Sequence, residues 1–119
     1  MDAQTVANRW IEQWNAKDVE GVLSKFAEDV VFRSEKAHVL VGNGEVRGKE
    51  ALRAYWNTAI SRVTELRFEL DHAAFDAERS ELFIVYVAAI NGTRNRACER
   101  LRFAEGLVVE GEATYGAPA

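Results

Sequence analysis

The chain has 119 residues, 48% of them hydrophobic, which fits one domain built around a single core. Its formal net charge is −4, with 15 basic residues against 19 acidic ones. This balance excludes the basic face expected of a nucleic-acid-binding protein, and the single cysteine excludes an internal disulfide and a multi-cysteine metal site.

No repeat, low-complexity run or Pro/Gly/Ser linker divides the chain, so residues 1–119 are predicted to form one domain. No apolar run reaches the roughly 18 residues of a membrane-spanning helix, and residues 1–9 contain no apolar signal core. We therefore expect no membrane partner and a cytoplasmic location, which the lone Cys98 also fits.

Three helical patterns occupy the first half of the chain. In the first, Val6, Trp10 and Trp14 recur every four residues and so share one helix face. Asp18 is a suitable N-cap for a second helix. The apolar positions of that helix are Val19, Val22, Leu23 and Phe26. A third helix follows Gly48, with its apolar positions at Leu52, Tyr55, Trp56, Ala59, Ile60 and Val63.

Strand patterns fill the remainder. Residues 30–35 are a short β-rich run, and an apolar run at 38–41 ends in the turn signal of residues 42–44. After Val63 the hydrophobic period changes to two. One predicted strand face holds Leu66, Phe68, Leu70 and His72. Residues 82–90 are continuously apolar, so both faces of that strand are predicted to be covered. After a turn at 91–93, a further face holds Ala97, Glu99, Leu101 and Phe103.

The last hairpin allows two registers. A two-residue turn at 105–106 would pair Phe103 with Val108 and place two glutamates on the apolar face. A three-residue turn with Gly106 in a bulge would instead pair Phe103 with Leu107. We predict the second register because it buries fewer charges. It places Gly111 opposite Glu99 and puts Val109, Gly111 and Ala113 on the apolar face.

Three segments carry a resemblance to a known family. Residues 10–18 lead into 26–32, a helix start follows at 48–56, and a strand–turn–strand unit spans 101–109. The chain resembles the nuclear transport factor 2-like superfamily, and within it the SnoaL-like branch. This resemblance implies an α+β fold in which a cone-shaped, curved, antiparallel or mixed sheet and three helices enclose an apolar pocket. It implies little about activity, because the superfamily contains isomerases, cyclases, dehydratases, epoxide hydrolases and binding modules.

The ketosteroid isomerase member of the superfamily offers a residue-level comparison. Trp10 stands where that enzyme has its oxyanion tyrosine, Ser34 where it has its carboxylate base, and Glu99 where it has a second, protonated acid. Trp56 matches a supporting tyrosine. Two of the three catalytic roles are lost, so we do not expect steroid isomerisation. The epoxide hydrolase branch has an arginine where this chain has Ala97 and is less similar still.

Glu99 is the strongest candidate for a catalytic residue. It is the only charged residue on its predicted strand face, and burial in an apolar cavity would raise its pKa towards neutrality. The alternative is a structural glutamate that pairs with Arg94 or Arg96. Tyr86 is a second catalytic candidate because it lies inside an apolar strand, and the alternative for it is a core tyrosine bonded to backbone. The predicted ligand-binding residues are Trp10, Trp14, Phe32, Ser34, Tyr55, Trp56, Leu101 and Tyr115.

Other polar residues give weaker signals. His38 and His72 are each expected at an exposed or edge position, and no ligand cluster surrounds either of them. Ser34 has no histidine at a recognisable triad spacing. We expect no cofactor and no metal.

Three functions stay open on the sequence. The first is acid–base catalysis (isomerase, cyclase or dehydratase type) on a small apolar carbonyl or hydroxyl compound, with Glu99 as proton carrier. The second is a module that binds a small apolar molecule without turning it over, and the third is a protein-interaction module. The sequence names no substrate.

A homodimer is expected from the strand at 82–90. Helices can cover only one of its faces, which leaves an outer row to be covered by a partner: Phe83, Val85, Val87 and Ala89. On the neighbouring strand, Arg96, Arg100 and Arg102 are predicted to rim that interface or pair across it.

Overall fold

Four helices and six strands make up the computed structural model, which describes all 119 residues. In chain order they are α1 (Ala3–Asn15), α2 (Val19–Leu23), β1 (Phe26–Ser34), α3 (Glu35–Val41), β2 (Glu45–Arg47), α4 (Lys49–Ser61), β3 (Leu66–Asp76), β4 (Glu81–Ile90), β5 (Thr93–Ala104) and β6 (Leu107–Pro118). None of the helices combines the length and apolar character needed to cross a membrane.

The strands form one open, mixed sheet in the order β2-β1-β6-β5-β4-β3. β1 runs parallel to β6, and all other neighbours are antiparallel. Register shifts interrupt the β3–β4, β5–β6 and β1–β6 ladders. Such bulges increase local twist and bend a sheet, which gives it a concave and a convex face. The predicted α+β architecture with a curved mixed sheet is confirmed.

Helix α1 packs along the edge strand β3. Asp2 caps its start by accepting a hydrogen bond from the Thr5 backbone N–H at 3.2 Å. At its end, the Asn15 side-chain amide donates to the Phe68 carbonyl at 3.0 Å and accepts from the Phe68 N–H at 2.7 Å. This two-pronged contact fixes α1 against β3 and directs its apolar face, Ala7, Trp10, Ile11 and Trp14, towards the sheet.

The short helix α3 was not predicted. The Ser34 hydroxyl accepts from the Lys36 N–H at its start, and Gly42, at φ +82°, ends it. Only Ala37 of its seven residues is buried, so its sequence shows no amphipathic period. The second predicted helix is shorter than expected, because α2 ends at Leu23 and Phe26 begins β1.

Two predicted registers are wrong. β3 carries a bulge at Asp71, so His72 pairs with Val85 on the convex face and does not continue the face of Leu70. The last hairpin has a two-residue turn in which both Glu105 (φ +53°) and Gly106 (φ +80°) are left-handed.

This turn pairs Phe103 with Val108, and a shift between Arg102 and Phe103 then moves Val109 off the buried face. As a result, Leu101 faces Gly111, and Glu99 faces Ala113. The bulge was predicted in the turn, but it lies within the strand. The bulge within the strand nevertheless keeps the charges off the apolar face, as the predicted register was meant to do. Gly111 and Ala113 are buried, while the neighbouring glutamates face outwards.

Candidate functional site

A cavity of about 500 Å³ lies between the concave face of the sheet and helices α1, α3 and α4. Its wall is largely hydrophobic and rich in aromatic rings, because the apolar faces of α1 and α4 meet the concave residues of β1, β3 and β4 there. Trp10 stacks on Phe68 at 5.7 Å between ring centroids, and Trp14 meets Trp56 edge-on at 5.0 Å. Interlocked rings of this kind give the cavity a defined shape.

Glu99 lies in this wall and is 3% exposed. Strand alternation sends its side chain to the concave face, level with Ile84 on β4 and Ala113 on β6. Burial raises the pKa of its carboxyl group well above the ordinary value of 4.5, and no charge or hydrogen bond opposes that shift. The protonated form is therefore favoured.

The alternative pairing of Glu99 with an arginine is excluded. Arg94 pairs with Glu69 at 3.6 Å, and Arg96 pairs with Asp71 at 2.8 Å, both on the convex face. Glu99 is thus a solitary carboxyl group in an apolar cavity.

Three tyrosines from three different elements surround this carboxyl group: Tyr55 of α4, Tyr86 of β4 and Tyr115 of β6. Burial is the main cause of the raised pKa of each phenol, and Glu99, when it is ionised, raises all three further. The interaction between the hydroxyls of Tyr86 and Tyr115 raises the pKa of Tyr86 further and works against the rise in the pKa of Tyr115. The phenols are therefore neutral donors near neutral pH.

Two further donors sit in the wall without partners. The indole Nε1 atoms of Trp10 and Trp14 are buried and form no hydrogen bond. An unpaired buried donor costs about 1–3 kcal/mol, so a wall that keeps two of them is not optimised for stability alone.

All predicted site residues except Leu101 line the cavity. Those that do are Trp10, Trp14, Phe32, Ser34, Tyr55, Trp56, Tyr86, Glu99 and Tyr115. Leu101 is buried on the same strand face as Glu99, but it packs against Gly111 and does not reach the open space.

The mouth of the cavity was missed because it is built from α3 and the end of α4. Its residues include Glu35, Lys36, Val39, Leu40, Arg62 and Val63. The signals that could have located it were Ser34 as an N-cap and Gly42 as a helix stop. Val39 is 80% exposed, which is unusual for a valine and places an apolar side chain at the entrance.

Neither histidine takes part in the site. His38 and His72 are both exposed, as predicted, and neither lines the cavity. No three His, Cys, Asp or Glu residues are arranged to hold a metal ion.

An open, curved mixed sheet with helices across its concave face and an apolar cavity between them defines a nuclear transport factor 2-like fold. Residues 7–111 match the SnoaL-like domain, so the chain belongs to the SnoaL-like family. The predicted family is confirmed.

Solved structures share this fold. A SnoaL-like protein of unknown function from Burkholderia thailandensis E264 is 30% identical, with a TM-score of 0.86 over 97% of this chain and 94% of that one. An NTF2-like protein of unknown function from Burkholderia pseudomallei K96243 is 19% identical, with a TM-score of 0.81 over 98% and 92%. A computationally designed 17-OHP binder is 24% identical, with a TM-score of 0.72 over 96% and 91%. No curated protein matches the sequence.

Proposed function

We propose that this protein binds a small, largely apolar molecule that carries a carbonyl or hydroxyl oxygen, and that it catalyses proton transfer at that oxygen with Glu99 as the proton carrier. The observation that carries this proposal is the solitary, buried Glu99 in an aromatic cavity. A carboxyl group whose protonated form is favoured can donate a proton to a ligand oxygen, which an ordinary, ionised glutamate cannot do.

The residues around Glu99 support this role. Tyr86 and Tyr115 are neutral donors that can polarise the same oxygen and then stabilise the carboxylate left after Glu99 has given up its proton. Trp10, Trp14 and Trp56 offer flat apolar surfaces for the body of the ligand. Dehydration, isomerisation and cyclisation all contain such a proton transfer to oxygen.

Deuterium uptake by 1-indanone tests the proposal. In D2O, Glu99 would donate to the carbonyl oxygen while a water molecule removes an α-hydrogen, and the reverse step would place deuterium on that carbon. We expect the protein to accelerate this exchange, as followed by proton NMR. Glu99→Gln should lose on the order of a hundredfold or more of the acceleration, because general acid catalysis contributes that much. Glu12→Gln, an exposed change on α1, is the matched control.

The pH profile adds a second readout. Because the protonated form of Glu99 is the active one, exchange should fall as pH rises through its elevated pKa. Acceleration that survives Glu99→Gln would contradict the role of Glu99.

Binding without turnover is the second candidate function, and one observation favours it. The interior holds no second acid or base besides Glu99 and the tyrosines, since both histidines are outside the cavity. A designed relative of the same fold is named as a 17-OHP binder, which supports the capacity of the fold to hold a ligand. If 1-indanone binds by calorimetry but exchanges no faster than in buffer, this second function is the correct one.

We also propose a homodimer through the convex face. Phe83, Val85 and Val87 of β4 form a half-buried apolar row there. Arg96, Arg100 and Arg102, which the sequence predicts to rim this interface or pair across it, form ion pairs within the chain, for example Arg96 with Asp71. Sedimentation that gives a 13.3 kDa species at micromolar concentration would contradict the dimer.

A further inference from the structure

The mouth of the cavity carries two basic side chains without acidic partners. Ion pairs engage Arg53 of α4 and most arginines of the convex face, but neither Lys36 nor Arg62 is in one. Both residues line the cavity and are exposed at its entrance. Among the residues that line the mouth, the only acidic one is Glu35, so these three side chains together carry one net positive charge.

Lys36 is held at this position by an aromatic ring. Its Nζ atom lies 4.5 Å from the centroid of Tyr115, within the range of a cation–π contact. The hydroxyl at the far end of the same ring interacts with Tyr86, and ionised Glu99 raises the pKa of this hydroxyl. Tyr115 therefore joins the ammonium group at the mouth to the carboxyl group in the interior.

The backbone around Arg62 is also fixed. Asn91 donates from its side-chain amide to the Arg62 carbonyl at 3.3 Å and accepts from the Thr64 N–H at 2.8 Å. This contact ties the end of α4 to the β4–β5 turn and keeps the Arg62 backbone beside the entrance.

We infer that the ligand of this cavity is an amphipathic monocarboxylic acid, whose carbonyl or hydroxyl oxygen faces Glu99 and whose carboxylate lies at the mouth against Lys36 and Arg62. This inference rests on the proposed function and names its substrate class. A carboxylate at the entrance keeps contact with water, whereas a carboxylate in the apolar interior would lose its hydration. One net positive charge matches a monoanion, and Glu35 would repel the second charge of a phosphate monoester.

Two probes with the same aromatic body test this inference by calorimetry near neutral pH. The first is 2-naphthol, which carries only the hydroxyl group, and the second is 6-hydroxy-2-naphthoate, which adds a carboxylate at the opposite end. We expect the carboxylate to tighten binding by about two- to fivefold, the range of a partly exposed charge pair. High salt should reduce this advantage.

Lys36→Met should weaken the binding of 6-hydroxy-2-naphthoate by a larger factor than the binding of 2-naphthol, so that most of the advantage is lost, and Arg62→Met should reduce the advantage. Lys25→Met is the matched control, since Lys25 is exposed, unpaired and outside the cavity. Equal or weaker binding of the carboxylate, or an advantage that survives Lys36→Met, overturns the inference and leaves the proposed function intact if 2-naphthol still binds. Failure of the wild type to bind either probe would count against both.

Discussion

Glu99 and Arg100 are neighbours in β5, but their side chains enter opposite environments. On the concave face Glu99 is alone among aromatic rings, with no charged partner. On the convex face Arg100 contacts Glu81 at 2.5 Å, Glu112 at 3.2 Å and Glu110 at 3.6 Å. The same sheet therefore leaves one carboxyl group unpaired on one side and gives carboxylates cationic partners on the other.

The pairing on the convex face extends over five strands. Going from β4 to β2, acidic and basic side chains alternate: Glu81, then Arg100 and Arg102, then Glu110 and Glu112, then Arg33, then Glu45. Cross-strand pairs of opposite charge stabilise a sheet, and here they give Glu45, Glu81, Glu110 and Glu112 each a cationic partner. The contrast indicates that the isolation of Glu99 serves a purpose other than stability.

The largest effect is expected when the isolated carboxyl group must ionise. The folded-state pKa of Glu99 is raised above its unfolded value near 4.5, so its contribution to stability is fully present below that value and is lost as pH rises through the folded pKa. At high pH the buried charge costs several kcal/mol. Glu99→Gln should remove this decline in the free energy of unfolding, as measured by urea denaturation across the pH range.

Glu12→Gln should keep the wild-type pH dependence. A Glu99→Gln protein that still loses stability over the same rise in pH as the wild type would show that the carboxyl group is solvated and not isolated.

The next effect concerns the centre of the charged face. Arg100→Met should lower the free energy of unfolding by about 2 kcal/mol, because it leaves Glu81, only 8% exposed, and Glu112 without their cation. Arg67→Met on the same face, where the arginine is unpaired, should change it by less than about 0.5 kcal/mol. Equal effects of the two changes would contradict a specific network around Arg100.

A third test concerns the space beside the cavity. A Cβ atom added at Gly111 would lie 2.8 Å from Cδ1 of Phe32 and 3.3 Å from Cδ2 of Leu101. Phe32 is fully packed, so Gly111→Ala should destabilise the protein by about 1–3 kcal/mol in thermal or chemical unfolding. At Gly116 the nearest atom is 3.7 Å away, and Gly116→Ala should be close to neutral.

The smallest effect concerns Glu110, whose contribution to stability should be lost as pH falls, whereas that of Glu99 is lost as pH rises. A hydrogen bond from Arg102 lowers the pKa of Glu110, so this carboxylate contributes stability above its unfolded pKa of about 4.5 and loses it as pH falls. The pair is partly exposed, so Glu110→Gln should cost less than about 1 kcal/mol at neutral pH and nothing in strong acid. A cost that persists in acid would indicate lost packing and not lost charge.

The helices and strands that could be predicted from the sequence are those whose periodic apolar pattern extends over many residues. The aromatic faces of α1 and α4 and the alternation in β5 were sufficient to place Trp10, Tyr55 and Glu99 around one cavity, once the family resemblance supplied the curved sheet. The pairing of β1 with β6 could not be predicted, since it joins strands more than seventy residues apart.

The missed features are those with a weak or shifted period. Helix α3 buries a single residue, so the mouth with Lys36 and Arg62 was not predicted. The bulge at Asp71 moves His72 to the other face, because one extra residue inverts the alternation of a strand. A register shift also explains why Glu99 pairs with Ala113 and not, as was predicted, with Gly111. The position of such a shift depends on packing and not on the sequence pattern.

The contact of Asn15 with β3 has a consequence for association between molecules. β3 is an edge strand, and the open backbone groups of an edge strand can template a strand from another chain. The Asn15 amide occupies both the N–H and the C=O of Phe68, as a neighbouring strand would. At the middle of the apolar part of β3, a single side chain from α1 thus takes the place that an incoming strand would need, which protects the sheet from edge-to-edge aggregation.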